Sequence, residues 1–166
     1  MDFFQEYIVK RKIGIKEWIL SILISIVAFI LVVLSLPYLN WGFVAVFDAV
    51  VVYFSYVLIS RFSVEFEYIL TNNELDIDKI YAKRKRDKML TVDVRKLEIC
   101  APYKEEGKFT DDIMSNIEAT YDFSTKNYLD AYLAIYFNDG KKFGFLFNPS
   151  PKMIDSMKKI SPNKVH

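Results

Sequence analysis

Histidine and cysteine, which carry much of the catalytic and metal-binding chemistry of proteins, each occur once in this sequence. His166 alone cannot supply a Ser-His-Asp triad or a histidine-rich metal site within a domain. Cys100 lies in an apolar strand pattern, which favours a core position over a nucleophile. The five glycines form no phosphate-binding loop. These residues predict a protein that is not an enzyme, with no catalytic residues, no metal and no cofactor.

One acidic pair could hold a cation. Asp111 and Asp112 follow Glu105, Glu106 and Gly107, and carboxylate oxygens are ligands that hard divalent cations prefer. The same residues also fit a polar loop or the start of a helix, and the pattern favours that interpretation.

A basic cluster is the other chemically distinctive group. It contains Lys83, Arg84, Lys85, Arg86 and Lys88, offset only by Asp87. At a membrane surface each such residue would contribute about 1 kcal/mol through anionic lipid. A solvated hairpin loop explains the cluster equally well. Nucleic-acid binding is not expected, because neither a helix-turn-helix nor a stacking motif lies nearby.

The elements that position these residues fall into two unlike parts of a 166-residue chain. Residues 18–36 and 43–60 are two apolar runs, and each is long enough as a helix to cross about 30 Å of hydrocarbon. Between them, Pro37 and Asn40-Trp41-Gly42 predict a tight turn. We therefore expect an interfacial segment at 1–17, a transmembrane helical hairpin at 18–60 and a soluble domain at 61–166.

The flanking charges predict the orientation of this hairpin. Lys10, Arg11, Lys12 and Lys16 precede the first span and Arg61 follows the second, while the turn between them is uncharged. The positive-inside rule then places both termini in the cytoplasm, in an integral protein of the cytoplasmic membrane. A single cysteine, which excludes an intrachain disulfide, agrees with a reducing compartment.

Asp48 is the only formal charge between residues 18 and 60. An ionised carboxylate inside a bilayer costs about 2.5 to 3.5 kcal/mol, so Asp48 needs a proton, a partner or water. It could contact a partner helix or take part in proton-linked chemistry. It could also be a tolerated acid near the outer interface.

The segment before the first span carries apolar residues among charges. Phe3, Phe4, Tyr7, Ile8 and Ile15 fit the spacing of a short amphipathic helix lying on the membrane surface. A frayed start with aromatic anchors is the alternative.

Past Arg61 the hydrophobic period changes to two, which predicts strands. Residues 64–71 and 75–79 form a hairpin about Asn72-Asn73, and Asp139-Gly140 predicts a second hairpin turn. Ser150 and Pro151 predict the start of a C-terminal helix with Met153, Ile154, Met157 and Ile160 on its apolar face. The other strand candidates are residues 88–92, 96–101, 117–123, 129–137 and 142–147.

Residues 103–126 are longer and more polar than a connection between neighbouring strands requires. They predict a flexible insertion, with Phe109, Ile113 and Met114 as contacts for a partner. Alternatively, Thr110 caps a short helix over residues 111–116.

The stretch Tyr68-Ile69-Leu70-Thr71-Asn72-Asn73-Glu74-Leu75-Asp76-Ile77 resembles the opening of bacterial pleckstrin-homology-like (PH-like) domains that follow a membrane hairpin. Such domains occur in YcxB-like small membrane proteins and in a Firmicute membrane family (DUF6106-like). The resemblance implies an α+β fold, with a seven-stranded PH-like barrel or sandwich capped by a C-terminal helix. It implies a binding scaffold rather than an enzyme. In lipid-binding relatives the loop joining the first two strands is basic, and Asn72-Asn73 is not.

Two functional hypotheses follow. The first is a membrane-anchored, non-enzymatic binding module on the cytoplasmic face, which contacts a protein partner or anionic lipid headgroups. The second is an accessory or regulatory subunit of a membrane transport complex, with Asp48 facing a partner helix.

Overall fold

The computed structural model describes residues 4–104 and 117–166. Two long helices, α1 (Ile15–Tyr38) and α2 (Trp41–Ser60), contain the two predicted apolar spans. Both helices are long and apolar enough to cross a membrane. Helix α1 runs past Pro37, because a proline in the last turn removes few helical hydrogen bonds.

The serine hydroxyl groups of the helical hairpin form hydrogen bonds within it. Ser21, Ser25 and Ser55 each donate to the backbone carbonyl four residues earlier, over 2.8 to 2.9 Å. Ser60 donates to the carbonyl of Val57. In hydrocarbon no water replaces a missing hydrogen bond, so these serines suit a lipid environment.

Eight strands and one more helix make up the rest of the described chain. The strands are β1 (Phe4–Lys10), β2 (Val64–Thr71), β3 (Glu74–Tyr81), β4 (Lys85–Asp93), β5 (Leu97–Pro102), β6 (Ile117–Asp122), β7 (Tyr132–Asn138) and β8 (Lys141–Phe147). A 3₁₀ turn (Val94–Lys96) precedes β5, and helix α3 (Pro151–Ile160) follows β8. The order is β1-β2-β3-β4 in sheet A and β5-β7-β8-β6 in sheet B.

This α+β architecture differs from the predicted single barrel. All seven predicted strands are present, but they form two sheets of four strands with β1 as an eighth strand. In sheet B, β6 pairs in parallel with β8, while β7 pairs antiparallel with both β5 and β8.

The predicted N-terminal helix is wrong, because residues 4–10 form strand β1. β1 pairs antiparallel with β2 through seven consecutive pairs, from Phe4 opposite Thr71 to Lys10 opposite Glu65. A short segment gains more by adding a strand to a preformed sheet than by forming an isolated helix, which is marginal at this length. The helical hairpin is therefore inserted between the first two strands of the domain.

The described chain accordingly divides into two compact units. One contains the residues up to Lys12, Glu65–Ile80 and the residues from Lys85 onward. The other contains Ile13–Val64 and Tyr81–Arg84. We call them the β unit and the helical unit.

Aromatic side chains between the sheets form the centre of the β unit. Phe66 and Tyr68 of β2 are almost fully buried, as are Phe145 and Phe147 of β8. The rings of Tyr68 and Phe147 meet edge to face at 5.6 Å. Alternation along both strands brings these residues to one face, as the sequence predicts.

The C-terminal helix and the second hairpin turn are confirmed. The Ser150 hydroxyl caps α3 by accepting from the Met153 backbone N–H at 3.2 Å. Met153 and Met157 are fully buried. Asp139 and Gly140 have φ of 49° and 77°, the left-handed values that a two-residue hairpin turn requires.

Candidate functional site

The basic cluster begins in the turn between β3 and β4. Ala82 and Lys83 both have positive φ, and the Arg84 N–H donates to the Tyr81 carbonyl at 3.0 Å. The Ala82 N–H donates to the carbonyl of Ser63, which follows helix α2, also at 3.0 Å. This turn belongs to the helical unit, so Lys83 and Arg84 lie close to the end of α2 and to Arg61.

The other predicted basic residues bond to acidic residues. Lys85 pairs with Asp87 at 3.2 Å, and Lys88 pairs with Asp76 at 2.9 Å. Arg86 pairs with Glu67 at 2.9 Å. Within the described residues no ion pair involves Lys83 or Arg84. The structure thus separates the predicted cluster into two turn residues with no ion pair in the described part of the chain and three ion-paired residues on β4.

Glu67 is a buried acid that the sequence does not reveal. Its side chain is only 1% exposed on β2, and one carboxylate oxygen receives the Arg86 guanidinium. Burial, followed by a hydrogen bond with Glu6 of β1, raises the pKa of the Glu67 carboxyl above its ordinary 4.5. Nearby, one oxygen of buried Asp78 has no partner among the described residues. The burial of Glu67 could be predicted only if β1 were already known to be a strand beside β2.

Asp48, the acid predicted to lie within the membrane, has a partner within its own hairpin. The hydroxyl of Ser35, on α1, donates to the Asp48 carboxylate on α2 at 2.8 Å. Ser35 is buried between the helices. A hydroxyl cannot neutralise a carboxylate, but it removes part of the cost of placing it in an apolar helix.

A groove of about 670 Å³ lies within the β unit. Tyr7 and Val9 of β1 form one wall, and Ile154, Asp155 and Lys158 of α3 form another. Leu129, which is 70% exposed, lines it as well. A concave surface that combines apolar side chains with a few polar and charged groups is typical of a ligand-binding site.

The structure confirms the core position predicted for Cys100. Its side chain is fully buried, and burial raises the pKa of the thiol to about 12. No group of three or more histidine, cysteine or acidic side chains that could hold a metal occurs among residues 4–104 and 117–166. The Asp111-Asp112 pair and the insertion residues Phe109, Thr110, Ile113 and Met114 lie outside the described residues.

Comparison with known families decides the classification. Over residues 1–166 the sequence matches the family described as Bacterial PH-like domain (DUF6106). The chain belongs to this family. Searches of curated proteins and of solved structures gave no match.

The strand order also corrects one prediction about the loops. Asn72-Asn73 joins β2 and β3, not the first two strands. The connection between β1 and β2 is the helical hairpin itself.

Proposed function

We propose that this PH-like protein is a non-enzymatic binding module that its helical hairpin anchors to the cytoplasmic face of the membrane. The anchor crosses the bilayer twice and returns both chain ends to the cytoplasm. The insertion of the hairpin between β1 and β2 supports this proposal, because it ties the binding domain to the bilayer at two points. A domain held at the surface meets membrane partners at a raised local concentration, so weak contacts suffice.

Anionic lipid is the contact that we propose for the helical unit. The hydrogen bond between Ala82 and Ser63 supports this assignment, because it holds Lys83 and Arg84 beside the end of α2. Arg61 adds a third positive charge and Lys16, at the start of α1, a fourth. At about 1 kcal/mol each, four charges at the headgroups would fix the helix ends at one depth.

Membrane topology is the first test. The full chain should remain in the membrane fraction after alkaline washing and dissolve only in detergent. A fluorescent reporter fused after His166 should mature in the cytoplasm, and an alkaline phosphatase fusion there should be inactive. A soluble full chain, or an active phosphatase fusion, would overturn the proposal.

The lipid contact is tested with an environment-sensitive dye at Ala82→Cys, in a Cys100→Ala background. The full chain is placed in nanodiscs of neutral lipid or of neutral lipid mixed with phosphatidylserine. We expect a blue-shifted emission only with phosphatidylserine, and its loss in Lys83→Ser/Arg84→Ser. Lys158→Ser/Lys159→Ser on α3 removes the same charge elsewhere and is the matched control. An equal loss in both double variants would contradict the contact.

If the protein were a subunit of a transport complex, Asp48 would be expected to contact a partner outside the hairpin. The hydrogen bond from Ser35 supplies a partner inside it and so favours the simple anchor. We therefore expect Asp48→Leu to leave membrane insertion and the set of copurifying membrane proteins unchanged. Loss of a stoichiometric membrane protein in that variant would revive the subunit hypothesis.

A further inference from the structure

The two sheets of the β unit present four edge strands, and three of them carry protection against pairing with another chain. The C-terminal residues cover β5. There the Cys100 backbone N–H donates to the Lys164 carbonyl, and the Cys100 carbonyl accepts from the His166 N–H. β6 has an irregular register between Ile117 and Ala119. β4 carries four consecutive charged residues, Lys85–Lys88. Charges, bulges and covering segments are the devices that natural edges use.

The fourth edge, β1, has only two charged residues, Glu6 and Lys10, and no bulge, and within residues 4–104 and 117–166 no segment hydrogen-bonds to its outer backbone groups. Its seven pairs with β2 show no bulge, and it contains no proline. Within the described residues, the backbone hydrogen bonds of β1 are those that it makes with β2. Phe4, Tyr7 and Ile8 are 68%, 40% and 48% exposed. An edge that is long and regular, and that exposes several apolar side chains, is a site of strand pairing.

We propose that β1 is a dimer interface, where it pairs antiparallel with β1 of a second copy of the chain. In an antiparallel pair, directly opposed side chains lie on the same face of the sheet. If the two copies are related by a two-fold axis, this is possible only when the axis passes through a residue that is opposite itself, so only registers centred on a residue are allowed. Centred on Ile8, the pairing sets Glu6 opposite Lys10 of the second copy, twice. It also sets Tyr7 opposite Val9 and Ile8 opposite itself. Every such pair is matched in charge or in apolar character.

The neighbouring registers do not match in this way. Centring on Glu6 sets two carboxylates opposite each other. Centring on Tyr7 sets Glu6 opposite Ile8 and Lys10 opposite Phe4. Centring on Val9 sets Ile8 opposite Lys10. The self-complementarity of one register is the reason for choosing a second copy as the partner of this edge. The interface goes beyond the proposed lipid contact and does not depend on it.

Cysteine cross-linking of the full chain in native membranes tests the register. In a Cys100→Ala background, Ile8→Cys places two cysteines on the symmetry axis. There the Cα atoms of opposed residues lie about 4.5 to 5.5 Å apart, which a disulfide spans. Glu6→Cys is the matched control, because its two copies would be about 13 Å apart along the strands. Oxidation should therefore link Ile8→Cys but not Glu6→Cys.

A mixture of Glu6→Cys and Lys10→Cys chains should cross-link, because this register opposes the two positions. Equal cross-linking of all single variants would indicate random collision and would overturn the proposal. Absence of the Ile8→Cys dimer, with the fold intact by circular dichroism, would overturn it as well.

A charge exchange tests the same register without cysteines. Glu6→Lys or Lys10→Glu alone sets like charges opposite each other twice, and should weaken dimerisation about tenfold. The double variant Glu6→Lys/Lys10→Glu restores opposite charges and should dimerise like the natural chain. Mass photometry in nanodiscs or detergent reads the dimer fraction, and thermal melting checks the fold. Single variants that dimerise normally would refute this register, and a monomeric natural chain would refute the interface.

Discussion

The helical unit and the β unit use the same residue types in opposite ways. In the helical unit Trp41 and Phe43 are largely exposed, whereas Phe145 and Phe147 in the β unit are fully buried. The β unit excludes water by covering its rings with protein. The helical unit leaves its rings uncovered, which is stable only where the surrounding solvent is itself apolar. The contrast teaches that the helical unit requires the proposed bilayer to surround its apolar side chains, whereas the β unit buries its own.

The units also differ in how they treat buried polar groups. In the helical unit, the one hydrogen bond that the Asp48 carboxylate receives from the described side chains comes from the Ser35 hydroxyl. In the β unit the Glu67 carboxylate meets a guanidinium, and the Tyr68 hydroxyl both donates and accepts. Protein surroundings can supply several partners to one group, whereas a two-helix hairpin has few to offer.

The largest effect should come from removing a ring in each unit. Phe145→Ala leaves a cavity in a filled core and should lower the free energy of unfolding of the β unit by about 3 to 5 kcal/mol. Phe54→Ala, at an exposed position on α2, should cost under about 1 kcal/mol, because lipid or detergent fills the space. Urea unfolding of the full chain in mild detergent measures both. If both variants lost the same free energy of unfolding, the contrast between the two units would be wrong, because Phe54 would then be packed against protein.

A hydroxyl deletion should have the next largest effect. Tyr68 donates to the Phe123 carbonyl at 2.7 Å and accepts from the Asn148 N–H at 3.2 Å. Tyr68→Phe leaves both backbone groups unpaired in the core and should cost about 1 to 3 kcal/mol. Tyr53→Phe on α2 is the matched variant, and its exposed ring should make it close to neutral. A Tyr68→Phe melting curve like that of the natural chain would show that water replaces the hydroxyl.

The buried acid should make stability depend on pH. Because the pKa of Glu67 is raised in the folded state, folding favours its protonated form. The ionised carboxylate therefore lowers the free energy of unfolding at neutral pH, and this loss disappears as the pH drops towards 4.5. Glu67→Gln should therefore stabilise the β unit at neutral pH by about 1 kcal/mol, and this gain should shrink on acidification. Glu118→Gln, on an exposed side chain of β6, is the control. A variant less stable than the natural chain at neutral pH would mean that the bond to Arg86 dominates.

The smallest effect should come from the strained turn. Lys83 has φ of 56°, a left-handed value that costs a side-chain-bearing residue about 1 kcal/mol. Lys83→Gly should raise the melting temperature slightly in neutral detergent. Lys85→Gly, which removes the same side chain from β4, should lower it. A decrease for Lys83→Gly would show that the lysine makes a stabilising contact in the helical unit.

The sequence predicts those elements whose signals are local. The apolar runs, the Asp139-Gly140 turn and the Ser150 cap each depend on a few neighbouring residues. Strand β1 could not be predicted, because residues 4–10 fit a helical spacing and acquire their strand character from residues 65–71. The burial of Glu67 and its ion pair with Arg86 could not be predicted either, because both depend on which strands pair. The parallel pairing of β6 with β8 is likewise set by distant contacts.

The position of the hairpin between β1 and β2 also dictates an order of events during synthesis. β1 emerges from the ribosome long before its partner strand, and its pairing must wait until both helices have been made. Bringing distant segments together normally costs chain entropy. In the proposed topology, insertion of the two helices would return the chain to its starting side and so close this long loop before β1 pairs with β2. The bilayer would then hold the two ends of the hairpin on one side, next to Lys10 and Glu65, the β1–β2 pair nearest to it.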